Sequence, residues 1–391
     1  MLRRAFLSTL ASAPLVTQLL AQRASLRVGV IGHTTRGNYG HGLDTLWLHE
    51  PRTTIVAVSD PDPAGLAAAQ KRLSAPEAHS DHRALLEKAR PHIVAICPRH
   101  ADQHHQMLKD AIEAGVRGIY IEKPYVRTPR EADEISQLAK THGTRIAVAH
   151  RNRYHPALLK TAALLKEGTF GTPLEIRARG KEDKRGGALD LWVLGSHVLN
   201  LAAFLAGTPT TCTASLRLEG RPVTKADVRD GDEGLGPLAG DEVRARFETP
   251  SGIPIYFDSK KDQGNKAAGF GLQLVCSEAV IDLRTDAEPM IHVLPGNPFR
   301  PTPTPRAWTP LTSGGVGVPE PLPNIKALIA GHQLPASNLI ECMETGAEPT
   351  CGPTEAAATV EMIASIFESH RQNGATVRLP LSHRDNPLSL L

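Results

Sequence analysis

Short β-branched runs alternate with amphipathic or alanine-rich stretches over the first 150 residues. The runs at 26–31, 53–58, 92–96, 116–121 and 145–149 are too short for helices, and they are apolar on both faces, as buried parallel strands are. Between them 63–73, 101–114 and 129–142 read as helices, and another helix is expected after the glycine-rich turn at 32–40. Such alternation predicts an α/β fold, a doubly wound parallel sheet of Rossmann type over 25–150. After Arg151 the rhythm changes. Helices at 156–167 and 189–205, with strands at 173–179, 211–218, 241–248, 253–258, 272–276 and 280–283, predict an α+β domain, 151–391, built on a large, open, mostly antiparallel sheet. Thr249-Pro250-Ser251-Gly252 supplies a turn between two of those strands. Ten prolines between Pro289 and Pro323 predict a surface loop with no helix and no central strand. Helices at 324–345 and 354–373 close the chain.

Composition narrows the function classes. Lys and Arg number 44 against 41 Asp and Glu, and no basic stripe interleaves with aromatics, which argues against a nucleic-acid partner. The five cysteines show no C-x-x-C spacing, so they specify neither a disulfide framework nor a zinc site. Arg3-Arg4 followed by a small and apolar run to about Ala21, too short to span a bilayer, predicts a twin-arginine export signal over 1–24. That places the protein in the periplasm or outside the cell; a cytoplasmic protein with an amphipathic extension is the alternative. No stable membrane span is expected elsewhere.

Chemistry in open α/β sheets sits outside the carboxyl ends of the strands. The run Ile119-Tyr120-Ile121 stops there in Glu122-Lys123-Pro124. A lysine fixed by a following proline reads as a proton donor or acceptor beside a cofactor, the plain alternative being a surface lysine in a loop. Gly32-x-Thr34-x-x-Gly37 is an altered dinucleotide fingerprint with Thr34 at the position where backbone approaches the pyrophosphate. Asp60, ending the second strand, is placed to accept from the adenosine ribose and so favour NAD over NADP, unless it only caps a helix; Arg36 nearby suits a 2′-phosphate instead. His100, His104 and His105 follow the 92–96 strand and are read as lining the nicotinamide pocket, not as metal ligands, and no metal is expected. Asp190 and His197 share one face of a predicted helix about 10 Å apart, too far to bond each other but able to face one ligand. A histidine on so apolar a helix also suits a satisfied core position. Arg153 and Tyr154 fall at the domain junction, where pockets concentrate. The charged run from Arg179 through Lys181 to Arg185 leads into Gly186-Gly187, and Trp308 lies in the proline-rich stretch; both read as carbohydrate contacts or as ordinary loop residues.

Taken together, Glu122-Lys123-Pro124, Cys97-Pro98, Ala114-Gly115, Ala149-His150 with Arg153-Tyr154, Gly168-Thr169-Phe170-Gly171, Gly195-Ser196-His197 and Gly374 with Val377 to Leu381 resemble the glucose-fructose oxidoreductase and inositol dehydrogenase (Gfo/Idh/MocA) family. The resemblance runs from Leu26 to the end of the chain. It implies a homodimer or homotetramer packed through the large sheet, with NAD, and less readily NADP, held by Gly32, Thr34, Arg36, Gly37, Asn38, Asp60, Pro98, His104, Glu122 and Lys123. It also implies Lys123 at the reacting oxygen and His197 as its proton partner; from their own positions, Asp190 is expected to stand in for a missing acid, and Arg153, Tyr154, Lys181, Arg185, Trp192, His197 and Trp308 are expected at the carbohydrate. Three positions depart from the family pattern: Thr34, Val193 where an aspartate four before the histidine is common, and Asn200 where an acid often follows. The expected activity is hydride transfer between nicotinamide and a hydroxyl or carbonyl carbon of a sugar, cyclitol or derivative. Redox-neutral, NAD-dependent glycoside cleavage is a second expectation, and a non-catalytic nucleotide- or sugar-binding protein a third.

Overall fold

The computed structural model describes residues 25–264 and 270–391; the expected export signal at 1–24 lies outside the described residues. The first sheet contains β1 Leu26–Ile31, β2 Thr53–Ser59, β3 Glu77–His79, β4 Ile93–Ile96, β5 Gly118–Ile121 and β6 Arg145–Val148, all parallel, in the order β3-β2-β1-β4-β5-β6. Side chains alternate between two cores, as a pleated strand requires. Val28, Val30 and Tyr120 face one core, and Ile31, Ile119 and Ile121 face the other. Helices α1 Pro63–Leu73, α2 His82–Ala89, α3 His104–Glu113 and α4 Pro129–His142 make the crossovers. Their ends follow local rules: Asp62 accepts from the Gly65 amide and Thr128 from that of Glu131, each before a proline in the first turn.

Three expectations need correction. No α-helix follows β1; the connection to β2 holds only a 3-10 turn, Thr45–Leu48. Gly37, Asn38, Gly40 and Gly42 all have positive φ, between 56° and 94°, and such a series breaks any right-handed helix. The proline-rich stretch is not only loop. It adds strands Ile291–Pro295, Thr309–Thr312 and Gly315–Val316 to one side of the large sheet, the first of them inside the edge. Pro295 ends its strand and the run from Pro298 to Pro305 lies outside both, so most missing donors fall outside the ladder. The helix expected at 324–345 breaks at Gly331-His332, where His332 has φ 58°, into Ile325–Ala330 and Gln333–Thr345.

The second sheet has 11 strands and packs its helix-covered face on the rest of the molecule. Its centre is β7 Pro173–Arg179, parallel to Ile255–Lys260 and antiparallel to Gly271–Cys276. The helix Pro353–Arg371 packs on β8 Thr211–Leu218 and on α4, tying the two sheets together. The helix Gln333–Thr345 returns to β5 and β6, where Leu339 and Ile340 join the core of Val30 and Tyr120. The first domain is therefore completed by residues beyond 150. Ala188–Ala206 is long and apolar enough to cross a membrane, but it runs inside the protein against β7, and 72% of its apolar window is buried there.

Candidate active site

The ladders of the first sheet continue one residue past the named strands. Cys97 N donates to Ile31 O at 3.0 Å, Glu122 N to Ile96 O at 2.9 Å and Ala149 N to Ile121 O at 2.9 Å. Gly32, Cys97, Glu122 and Ala149 thus form a row at the sheet's mouth, and Lys123 and His150 are the next residues on neighbouring strands. Glu122 is 1% exposed. Its Oε1 accepts the Lys123 amide at 2.9 Å and its Oε2 pairs with His41 Nδ1 at 3.0 Å. Burial pushes its carboxyl up, but the His41 hydrogen bond and the Lys123 charge outweigh this and bring it to about 2.

Lys123 is buried, and its Nζ donates to Val193 O at 2.9 Å. That carbonyl belongs to a π-helical segment, Leu191–Gly195, inside the helix Ala188–Ala206; such segments change the carbonyl pairing of a helix. Val193 thus meets the lysine through its backbone, not through its side chain. Desolvation lowers the ammonium's proton affinity, opposed by the Glu122 charge. One turn on, the His197 ring stands edge-to-face with His150, centroids 5.1 Å apart at 85°. Both Nδ1 atoms are buried without a partner, as are Ser196 Oγ and Trp192 Nε1. Burial, then the charges of Lys123 and Arg153, lowers His150 to about 3; burial and then His150 and Lys123 lower His197 far below its ordinary value. The partly exposed His197 and the buried His150 are neutral at pH 7.

Several expected site residues are spent on structure. Asp190 Oδ2 accepts from Ser259 Oγ at 2.6 Å and from the Glu182 amide at 3.0 Å, anchoring the 180–187 loop; its Oδ1 and His197 Nδ1 are both unpartnered, so the two residues are not bonded. His104 does not line a pocket. It is fully buried, with Nε2 2.7 Å from Pro98 O and Nδ1 2.7 Å from Pro124 O, strapping the β4 and β5 loops together. Arg153 Nε donates to Thr350 O at 2.8 Å, and Tyr154 OH accepts from the Cys351 amide at 3.2 Å, so both fasten the domain junction. In the charged run Arg179 pairs with Glu182 and Arg185 with Asp183, while Lys181 is half-buried. Trp308 is 45% exposed beside the edge strand pair of the large sheet. Trp192 is fully buried beside Val193, with its Nε1 unpartnered.

The crevice between β1 and β4 is the switch point where such sheets bind dinucleotides. Here the turn after β1 bears directly on the β4 loop. His33 Nδ1 lies 2.5 Å from Gln103 Oε1, Arg36 pairs with Asp102 at 2.5 Å, and a Cβ on Gly37 would collide with the Arg99 backbone. A Cβ on Gly32 would likewise strike the Tyr39 ring, and Asn38 takes the left-handed conformation that closes the turn. Asp60 is fully buried: Thr34 supplies its amide at 3.0 Å and its hydroxyl at 2.6 Å, and the Asp62 amide adds a third bond at 2.9 Å. These bonds outweigh burial and hold the carboxyl below its ordinary value. Asp60 therefore shapes the turn rather than reaching for a ribose, which removes the basis for preferring NAD over NADP. An anionic dinucleotide still fits the crevice, because Arg36 Nε, Arg99 Nε, His100 Nδ1 and Gln103 Nε2 border it, buried and without partners. Among the described residues no group of three or more His, Cys, Asp or Glu could hold a metal ion.

Residues 26–150 match the family described as an oxidoreductase family with an NAD-binding Rossmann fold, Gfo/Idh/MocA. D-apiose dehydrogenase of Paraburkholderia graminis is 24% identical over 356 residues, 87% of each chain. The NADP(+) scyllo-inositol 2-dehydrogenase of Bacillus subtilis is 24% identical over 216 residues, 52% of this chain and 58% of the other. Levoglucosan dehydrogenase, solved with NADH and levoglucosan, shares the fold with a TM-score of 0.72 over 91% of this chain and 100% of that one, at 19% identity. Sequence reasoning overlooked His150, Arg99, Gln103 and His41 as site residues. The signal for His150 was its place, two residues past the end of β6, as Lys123 is two past the end of β5.

Proposed function

We propose that the protein is an NAD(P)-dependent oxidoreductase acting on a hydroxyl or carbonyl carbon of a sugar, cyclitol or sugar derivative. The observation that carries this reading is Lys123: a buried amine at the mouth of a Rossmann sheet, with one neutral carbonyl on its Nζ and unpartnered imidazoles beside it. Lys123 Nζ holds the reacting oxygen and takes or returns its proton; the partly exposed His197 borders the same chamber. A bound nicotinamide supplies the hydride acceptor or donor. The protein supplies placement, neutral imidazoles at pH 7 and a lysine whose proton affinity burial lowers. Sugar dehydrogenases among the relatives support carbohydrate as the substrate class. We extend the reading to export through residues 1–24 and to pairing of two copies through the open face of the large sheet.

The test is the nucleotide content of the purified protein, read by mass spectrometry after denaturation, together with NAD+ and NADP+ titrations of unsubstituted protein and of K123M. Nucleotide binding retained by K123M, with turnover of D-apiose, levoglucosan or scyllo-inositol at least about 100-fold lower, is the expected result. No binding of either nucleotide refutes the reading.

A further inference from the structure

We propose that His150 and His197 form a proton-sharing imidazole pair that serves Lys123, with His150 filling the role a carboxylate would otherwise take. The proposal rests on the oxidoreductase reading for its purpose, but on geometry for its existence.

The site needs somewhere to put a proton. When the substrate O–H bond breaks, the proton forms a new N–H bond on the Lys123 amine, and the C–H electron pair leaves as hydride to the nicotinamide. The ammonium so made must shed a proton before another turnover. Two acids near the lysine are already held, and Glu233 acts on it only through space, with no hydrogen bond to it. Glu122 is engaged by the Lys123 amide and by His41, Asp190 by Ser259 and the Glu182 amide, and position 193 offers only a backbone carbonyl. What stands there instead is His150, set beside Lys123 by the 2.9 Å bond from Ala149 N to Ile121 O, with its ring against that of His197. Each ring keeps a buried Nδ1 without a partner. Two charged imidazoles 5.1 Å apart would repel, whereas one imidazolium lying edge-to-face on a neutral ring is favoured. The pair therefore takes one proton at a time. The partly exposed His197 gives it a route to solvent.

The charges facing this pair come from every element around it. Lys123, Arg153 and Glu122 act on His150, and Lys123, Arg151 and His41 act on His197. Arg153 is fastened to Thr350 O and Asn200 O, so it is a fixed charge and not a proton carrier. His150 acts through its neighbours and is a positioning residue.

The experiment is a pH titration of histidine-labelled protein by NMR, comparing unsubstituted protein with H150N, H197N and K123M. Because the pair shares one proton, the ring that protonates second should titrate about two pH units higher once its partner is removed. K123M should raise both midpoints. If neither single variant moves the other ring's midpoint, the proposal is overturned; a midpoint shift without any displacement of the acid limb of the rate profile in H150N is the result a purely structural His150 gives, and it overturns the proposal as well. H150Q repeats the test should H150N fail to fold. Where levoglucosan, D-apiose or scyllo-inositol is turned over, H150N should also displace the acid limb of the rate profile. Absence of any NAD(P)-linked turnover counts against the oxidoreductase reading alone, since the titration needs neither cofactor nor sugar.

Discussion

Acid should unfold this protein early, through buried neutral imidazoles rather than through its carboxylates. His150 is 3% exposed and His332 2%, and burial is the main cause that lowers them from 6.5 to about 3 and about 4. A depressed histidine binds fewer protons folded than unfolded. Its contribution is intact above pH 6.5, falls as pH drops below that, and stops falling only at the folded-state value. Each such group costs about 1.4 kcal/mol per pH unit inside that window. Two groups over two units, from 6.5 to about pH 4.5, cost about 5 kcal/mol, a large share of the ~5–15 kcal/mol that holds a typical domain together. Most depressed carboxylates, Glu122 among them at about 2, titrate below this window and do not mask the effect. The assay is denaturant unfolding at several values between pH 7.5 and 5, followed by the fluorescence of the buried Trp47 and Trp192. H150N should lower the slope by about one group's share, ~1.4 kcal/mol per pH unit, with His332 and His197 supplying the remainder. A midpoint that stays constant between pH 6.5 and 5, or an unchanged slope in H150N, refutes the reasoning.

Thr34→Val removes the 2.6 Å hydroxyl bond to buried Asp60 and should cost about 1–3 kcal/mol, with a loss of NAD(P) affinity visible by titration; equal stability would mean that the backbone amides alone hold the turn. Gly37→Ala should destabilise by more than about 2 kcal/mol in the same unfolding assay, because φ is +90° and the new Cβ would meet the Arg99 backbone. Arg99→Ala should weaken NAD+ and NADP+ alike by about tenfold if its unpartnered guanidinium faces their phosphates, and undiminished binding of both would place the phosphates elsewhere. Exchanging Arg3 and Arg4 together for lysine should retain the protein in the cytoplasm, as cell fractionation would show.

Much of the fold was legible because buried parallel strands are written as continuous β-branched runs. Ile119-Tyr120-Ile121 is such a run, and its abrupt end at Glu122 located the mouth of the sheet. Where that signal fails the reading failed too. The strand Glu77–His79 has three residues and no apolar run, and it went unseen. The missing helix after β1 is a matter of backbone sign: Gly37, Asn38, Gly40 and Gly42 turn left-handed in succession, a pattern that composition does not distinguish from the usual glycine-rich start of a helix. Asp60 looked available for a ribose because nothing local reveals that the hydroxyl of Thr34, in another crossover, has taken it.

The histidines show the same limit most clearly. His100, His104 and His105 stood out as a group on one turn, yet His104 is a strap between two proline carbonyls and His105 pairs with Glu134 across helices. His150 attracted attention only as part of a family pattern. Its significance depends on a ring that comes from a helix 47 residues later and across the domain boundary. The rule that singled out Lys123, the residue just past the end of a buried strand, applies to β6 as well as to β5 and names His150. Applied across the whole row, it shows why the loss of an acid at Val193 need not empty the site of proton carriers. The helix changes pitch at Leu191–Gly195, the Val193 carbonyl meets the lysine, and the base that would have hung from that position is supplied instead by the neighbouring strand.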